Sequence, residues 1–98
     1  MDERLQNFLT DQLFKAVLSL EDKEECYAFF EDLCTVGELR SMAQRLEVAR
    51  MLREGNTYGH IASETGVSSA TISRVKRALQ YGADGYQRIL KRLQVKED

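Results

Sequence analysis

Residues 57 to 79, TYGHIASETGVSSATISRVKRAL, constrain the fold more than any other stretch. They read as two short helices meeting at a tight turn. Two helices cross steeply only if a small residue lets them touch, a glycine takes the turn and apolar side chains fill the wedge. Ala62, Gly66 and the group Ile61, Val67, Ile72 and Val75 meet those needs in turn. Ser68, Ser69, Ala70, Thr71 and Arg74 lie at the start and along the outer face of the second helix, with Lys76 and Arg77 following. Short hydroxyls, a methyl group and an arginine at the leading end of an exposed helix suit the reading of base edges in a major groove. The pattern predicts a DNA-binding helix-turn-helix. Because fold does not fix function, a hairpin that binds protein is the other reading of the same residues.

The remaining chain must support this unit within one domain, since 98 residues bury only a modest core. There is no proline, and 31% of residues are charged. With frequent leucine, alanine, arginine and glutamate, this favours an all-α class. The net charge of −2 is at odds with a polyanionic partner until its distribution is followed. Residues 1–32 carry nine acids against Arg4, Lys15 and Lys23, a balance of −6. Residues 33–80 carry Glu38, Glu47, Glu54 and Glu64 against seven bases, a balance of +3, and residues 81–98 add +1. The basic charge sits on the helix-turn-helix side. An acidic body keeps non-specific affinity for DNA low, because that affinity is mostly phosphate neutralisation.

In chain order, Leu5, Phe8, Leu9, Leu13, Ala16, Val17 and Leu20 fall on one face of a helix expected over residues 3–20. Phe14 and Leu18 widen that stripe beyond what one neighbour covers, which suggests packing against a second copy of the chain. Asp22 and Glu25 form a variant capping box for a helix bearing Cys26, Phe29, Phe30 and Leu33. Thr35 and Glu38 repeat the device and open the longest pattern, a spine running to Gly55. Val36, Leu39, Ala43, Leu46, Ala49 and Leu52 form its expected packed stripe, with Val48 and Met51 on an adjoining strip and Arg40, Arg45, Arg50 and Arg53 on the other face. Asp84 with Gln87 is expected to cap a last helix carrying Tyr86, Ile89, Leu90 and Leu93, with Arg88, Lys91, Arg92 and Lys96 solvated and fraying from Gln94. The expected layout is thus a helical dimerisation core at 3–54, the helix-turn-helix at 57–79 and a C-terminal helix at 84–94.

No constellation for catalysis is present. His60 stands without a nucleophile or carboxylate at triad-like spacing and is expected at the surface. Cys26 and Cys34 are more than two helical turns apart, too far for a disulfide within one helix, and read as buried, reduced thiols without a metal role. Phe8, Phe14, Phe29 and Phe30 read as core rather than as a base-stacking platform. Arg40, Arg50 and Arg53 suit a solvated face or phosphate contacts, whereas Arg45 and Arg74 could bracket a small anion or zwitterion. Neither a membrane-length apolar run nor a signal-peptide pattern is seen, so a cytoplasmic protein is expected.

The run DLCTVGELRSMAQRLEVARMLREGNTYGHIASETGVSSATISRVKRAL resembles the Trp repressor family, and within it the YerC/YecD-type branch of Trp repressor-related proteins. The most diagnostic pieces are ELRSMAQRLEVARML in the spine and SATISR in the reading helix. The family resemblance spans residues 32 to 93, that of the branch nearly the whole chain. It implies a six-helix chain forming an intertwined homodimer, with two reading heads presented to successive major grooves of a pseudo-palindromic operator. In the family, L-tryptophan wedges between spine and reading head. Arg45 and Arg74 match the two arginines that sandwich the indole. The glycine that follows the second arginine in tryptophan-responsive members is here Val75, and the serine near the amino group is Ala78. Added volume and a lost hydroxyl should each weaken binding by about 1 kcal/mol or more. The resulting expectation is a DNA-binding regulator, most simply a repressor, that needs no cofactor and does not use tryptophan. Ser68, Ser69, Ala70 and Thr71 would face bases, Thr57, Lys76 and Arg77 would hold phosphates, and Arg74 could do either or face the pocket. The alternative is a helix-turn-helix that binds protein of the transcription machinery.

Overall fold

A computed structural model describes the backbone of residues 2–97 and the side chains of residues 2–94. Six α-helices follow one another: α1 (Phe8–Leu18), α2 (Lys23–Leu33), α3 (Val36–Arg53), α4 (Tyr58–Thr65), α5 (Ser69–Tyr81) and α6 (Gly85–Glu97). They form two compact units, Met1–Leu39 and Arg40–Asp98.

In the first unit the helix expected over 3–20 is divided. A 3-10 turn at Glu3–Leu5 is closed by Asp2, whose carboxylate accepts from the Arg4 backbone N–H at 3.0 Å. Asn7 then adopts an extended conformation, and its side chain accepts from the Thr10 N–H at 2.9 Å, so α1 starts only at Phe8. Apolar periodicity runs through Asn7, but a capping side chain outweighs it locally. Asp22 caps α2 through the Glu25 N–H at 2.8 Å, while Glu25 reaches past the cap to the Glu21 N–H at 2.9 Å. Thr35 and Glu38 form the full reciprocal box, with bonds of 3.0 and 2.8 Å. The Thr35 N–H holds the Glu38 carboxyl below the usual glutamate range.

No residue of α1 or α2 is buried. Phe29 and Phe30 are half-buried and meet edge to face at 5.5 Å. Phe8 and Phe14, expected in a core, are 76% and 55% exposed, and the thiols of Cys26 and Cys34 are only half-buried. The cause is geometric: this unit contributes apolar stripes without a second layer to cover them.

The second unit has a core. Val48, Ala49 and Met51 of α3, Ile61 of α4, Ile72 and Val75 of α5, and Leu90 of α6 are buried together, with Leu52, Tyr58, Ala62, Val67, Leu79 and Tyr86 packed around them. The inward strip of α3 is therefore Val48 with Met51, which was expected to lie beside the main stripe. Of that stripe Ala49 is buried, whereas Val36, Ala43 and Leu46 are exposed. Only the C-terminal half of α3 has α4, α5 and α6 side chains to pack against in this core.

α3 ends in a Schellman motif: the Gly55 N–H donates to the Leu52 carbonyl and the Asn56 N–H to that of Met51, both at 3.0 Å. Gly66, at φ 75°, makes the turn after α4 that the sequence pattern requires. α6 starts at Gly85, directly after Asp84 as expected, but its cap differs from the expected one. Asp84 has a positive φ of 69°, and its carboxylate accepts from Arg88 Nε at 3.2 Å. Gln87 reaches back to the Leu79 carbonyl at 3.4 Å, so the pair does not form a capping box. The α6 backbone stays helical through Glu97, beyond the fraying point expected at Gln94. The expectations for the Lys96 side chain and for Asp98 lie outside the described residues.

Candidate nucleic-acid interface

Helical periodicity divides α5 into two sides. Ile72 and Val75 enter the core, while Ser69, Ala70, Arg74, Lys76, Arg77 and Ala78 are exposed and Thr71 is half-buried. Between Glu64 and Asp84 the chain has no carboxylate, so the charges of Arg74, Lys76 and Arg77 are not offset by acidic neighbours in that stretch. None of the three makes an ion pair among the described residues.

The hydroxyls of the segment do different work. Ser68 is the N-cap of α5: its Oγ accepts from the Thr71 N–H at 3.2 Å and donates to Thr71 Oγ1 at 3.2 Å. The Ser68 proton is thus engaged within the protein, while the Thr71 hydroxyl keeps its own. Ser69 and Ala70 carry no such tie. Thr57 caps α4, accepting from the His60 N–H at 3.2 Å, and its hydroxyl proton also remains available. One residue on, Tyr58 lies under Lys76, whose Nζ is 5.6 Å from the ring centroid.

The arginines of α3 are not equivalent. Arg50 is gripped by Glu47 at 2.6 Å and Glu54 at 2.8 Å. Its guanidinium holds the Glu47 carboxyl below the usual glutamate range, and the same bonds raise the pKa of Arg50 further. A cation satisfied on both sides is poorly suited to phosphate. Arg53 makes a long bond of 3.4 Å to Gln94, and Arg40 is exposed and forms no ion pair among the described residues. The Arg50 contacts join residues three and four apart and were legible in the sequence; the acids among the basic residues were the signal.

Of the four residues matched to the tryptophan pocket, Ala78 lines an apolar hollow. This open hollow of about 490 Å³ is bounded by Leu46, Ala78, Ala83, Gly85, Tyr86 and Ile89. Arg45 and Arg74 are exposed and do not line it, and Val75, 2% exposed, is packed in the core. Sequence reasoning missed the contribution of residues 83–89, because nothing local shows that the turn before α6 faces Leu46.

His60 is exposed, and among the described residues no group of three or more His, Cys, Asp or Glu side chains is placed to hold a metal. No described helix is long and apolar enough to cross a membrane.

With this geometry in view, the similarities to known proteins are specific. Residues 9–94 match the family model described as Trp repressor protein. The chain is 61% identical over 95 residues to the uncharacterized protein YerC of Bacillus subtilis strain 168, covering 97% of this chain and 91% of YerC. It superposes on the crystal structure of a TrpR-like protein from Eubacterium eligens with a TM-score of 0.92 at 55% identity, covering 95% of this chain and 96% of that one. A candidate Trp repressor from Staphylococcus aureus gives 0.90 at 55% identity, with coverages of 94% and 92%. An all-α chain of six helices, with a glycine-turned helix pair and a match over most of its length, belongs to the Trp repressor family.

Proposed function

We propose that this protein is a sequence-specific, double-stranded DNA-binding transcription regulator, a repressor that acts by occluding its site. The observation that carries the reading is α5, which buries Ile72 and Val75 and turns outward a serine, a methyl group and three cations that form no ion pair among the described residues. Ser69, Ala70 and the hydroxyl proton of Thr71 are suited to base edges, directly or through water. Thr57, Lys76 and Arg77 are suited to phosphates, Arg74 to either, and Ser68 serves chiefly to start the helix.

The working unit is an intertwined homodimer in which residues 3–54 form the shared core of a single 1–98 domain. Phe8, Leu9 and Leu18 are 76%, 73% and 83% exposed in one chain. Leaving such residues in water forgoes about 25 cal/mol for each Å² of apolar surface that could be covered. A second copy presents the same unsatisfied stripes, and two-fold symmetry would set two reading helices roughly 34 Å apart, one turn of DNA. The site of action is then the cytoplasm, and regulation does not depend on L-tryptophan.

The test is selection of bound sequences from random duplex DNA by the purified protein, with and without L-tryptophan. A two-fold-symmetric motif indifferent to tryptophan is expected. Recovery of a motif only with tryptophan would reverse the ligand assignment. Failure to recover any motif, with binding insensitive to salt, would favour a protein partner instead.

A further inference from the structure

Two cations of the second unit are held in different ways. Arg50 lies between two carboxylates, which fix it and cancel its charge. Lys76 is exposed, has no acidic partner among the described residues, and lies 5.6 Å from the centre of the Tyr58 ring. An aromatic face attracts a cation through its quadrupole, without bringing a compensating negative charge. Tyr58 is itself half-buried and packed against the core that also holds Ile72 and Val75, so its ring is a fixed support. A lysine on a free four-carbon stem must be ordered when it meets an anion, and a ring that restrains it beforehand removes part of that loss.

We infer that Tyr58 is a positioning residue for DNA binding: its ring holds the Lys76 ammonium in place, with its charge intact, for a backbone phosphate. This rests on the proposed DNA-binding function. It extends the interface to the first residue of α4, whose ring acts here through Lys76 and not by touching the DNA. The contact is to phosphate, so its effect is the same on every DNA sequence.

The experiment measures binding of the full-length protein to a selected site and to mixed-sequence duplex over a salt series. Tyr58→Phe keeps the ring and is expected to bind like wild type. Tyr58→Leu keeps an apolar side chain but loses the quadrupole, and is expected to weaken both duplexes about two- to fivefold. The salt slope should stay unchanged in Tyr58→Leu, because Lys76 is still charged. Lys76→Ala should lower the slope by about one. In the Lys76→Ala background Tyr58→Leu should have no further effect. In the free protein, the Lys76 methylene protons next to Nζ should be shifted upfield by the ring and return to ordinary positions in Tyr58→Leu.

An equal loss from Tyr58→Leu with and without Lys76 would overturn the inference, since Tyr58 would then act only through folding. So would an unaffected Tyr58→Leu in a protein whose binding still depends on Lys76, leaving the DNA-binding reading standing. Absence of wild-type binding to any duplex at low salt would overturn both.

Discussion

Gln44 Nε2 donates to the Thr65 carbonyl at 3.1 Å, joining the middle of α3 to the last residue of α4 across 21 residues of sequence. The bond is part-buried and satisfies a helix-end carbonyl just before the Gly66 turn. It fixes the helix-turn-helix against α3 by a directional contact, where the surrounding aliphatic contacts are tolerant of small slides. Gln44→Ala should therefore lower stability by about 1 kcal/mol, read as a shifted midpoint in urea unfolding at fixed protein concentration.

Ser68 and Ser69 are neighbours with separate roles. Ser68→Ala removes the cap of α5 and should lower stability by about 1 kcal/mol. Ser69→Ala should leave stability within about 0.5 kcal/mol of wild type and change the preferred DNA sequence. Paired unfolding and sequence-selection measurements check this. Equal stability losses would contradict the cap assignment.

Thr71 and Lys76 should separate specificity from affinity. Truncating Thr71 to alanine is expected to relax preference at one base position, at about 1–3 kcal/mol of discrimination. Lys76→Ala should weaken all sequences alike. Binding to the selected site and to single-position variants, each over a range of salt, distinguishes the two. Identical behaviour of both variants would show the roles to be wrongly divided.

L-tryptophan should not bind the wild-type protein at micromolar concentrations. Ala78 has no hydroxyl for the amino group, and Val75 fills core space where a glycine would leave room. Isothermal calorimetry is the direct check. A micromolar dissociation constant would mean that Arg45 and Arg74 suffice by themselves.

Acid should release the Glu47 contact with Arg50. The folded-state pKa of Glu47 is depressed below its ordinary 4.5, so the contribution is complete at neutral pH. It begins to fall as the pH drops below 4.5 and is gone once the pH passes below the depressed folded value. The pair is exposed, so it contributes only about 0.3–0.5 kcal/mol. Glu47→Gln should show the same small deficit at pH 7 and converge with wild type in strongly acidic solution, as followed by thermal melts across pH.

Local chemistry determined much of this protein. The boxes at Asp22 with Glu25 and Thr35 with Glu38 and the glycine stops at Gly55 and Gly66 are each set by residues a few positions apart, and the wedge of Ile61, Ile72 and Val75 by the helical period of two adjoining helices. Within that range, hydrogen bonding and helical period decide the outcome. Asn7 belongs to the same class, although its cap was obscured by the apolar pattern running through it. Tertiary structure decided which strip of α3 faces inward, since Val48 and Met51 are chosen by where α4, α5 and α6 supply apolar partners. It also decided that Val75 lies in the core and that Leu46 shares a hollow with Ala78 and Tyr86. The Gln44 bond to Thr65 and the Lys76 contact with Tyr58 join residues far apart in sequence. Such pairs leave no periodic trace in the chain, because their separation is fixed by the packing of whole helices.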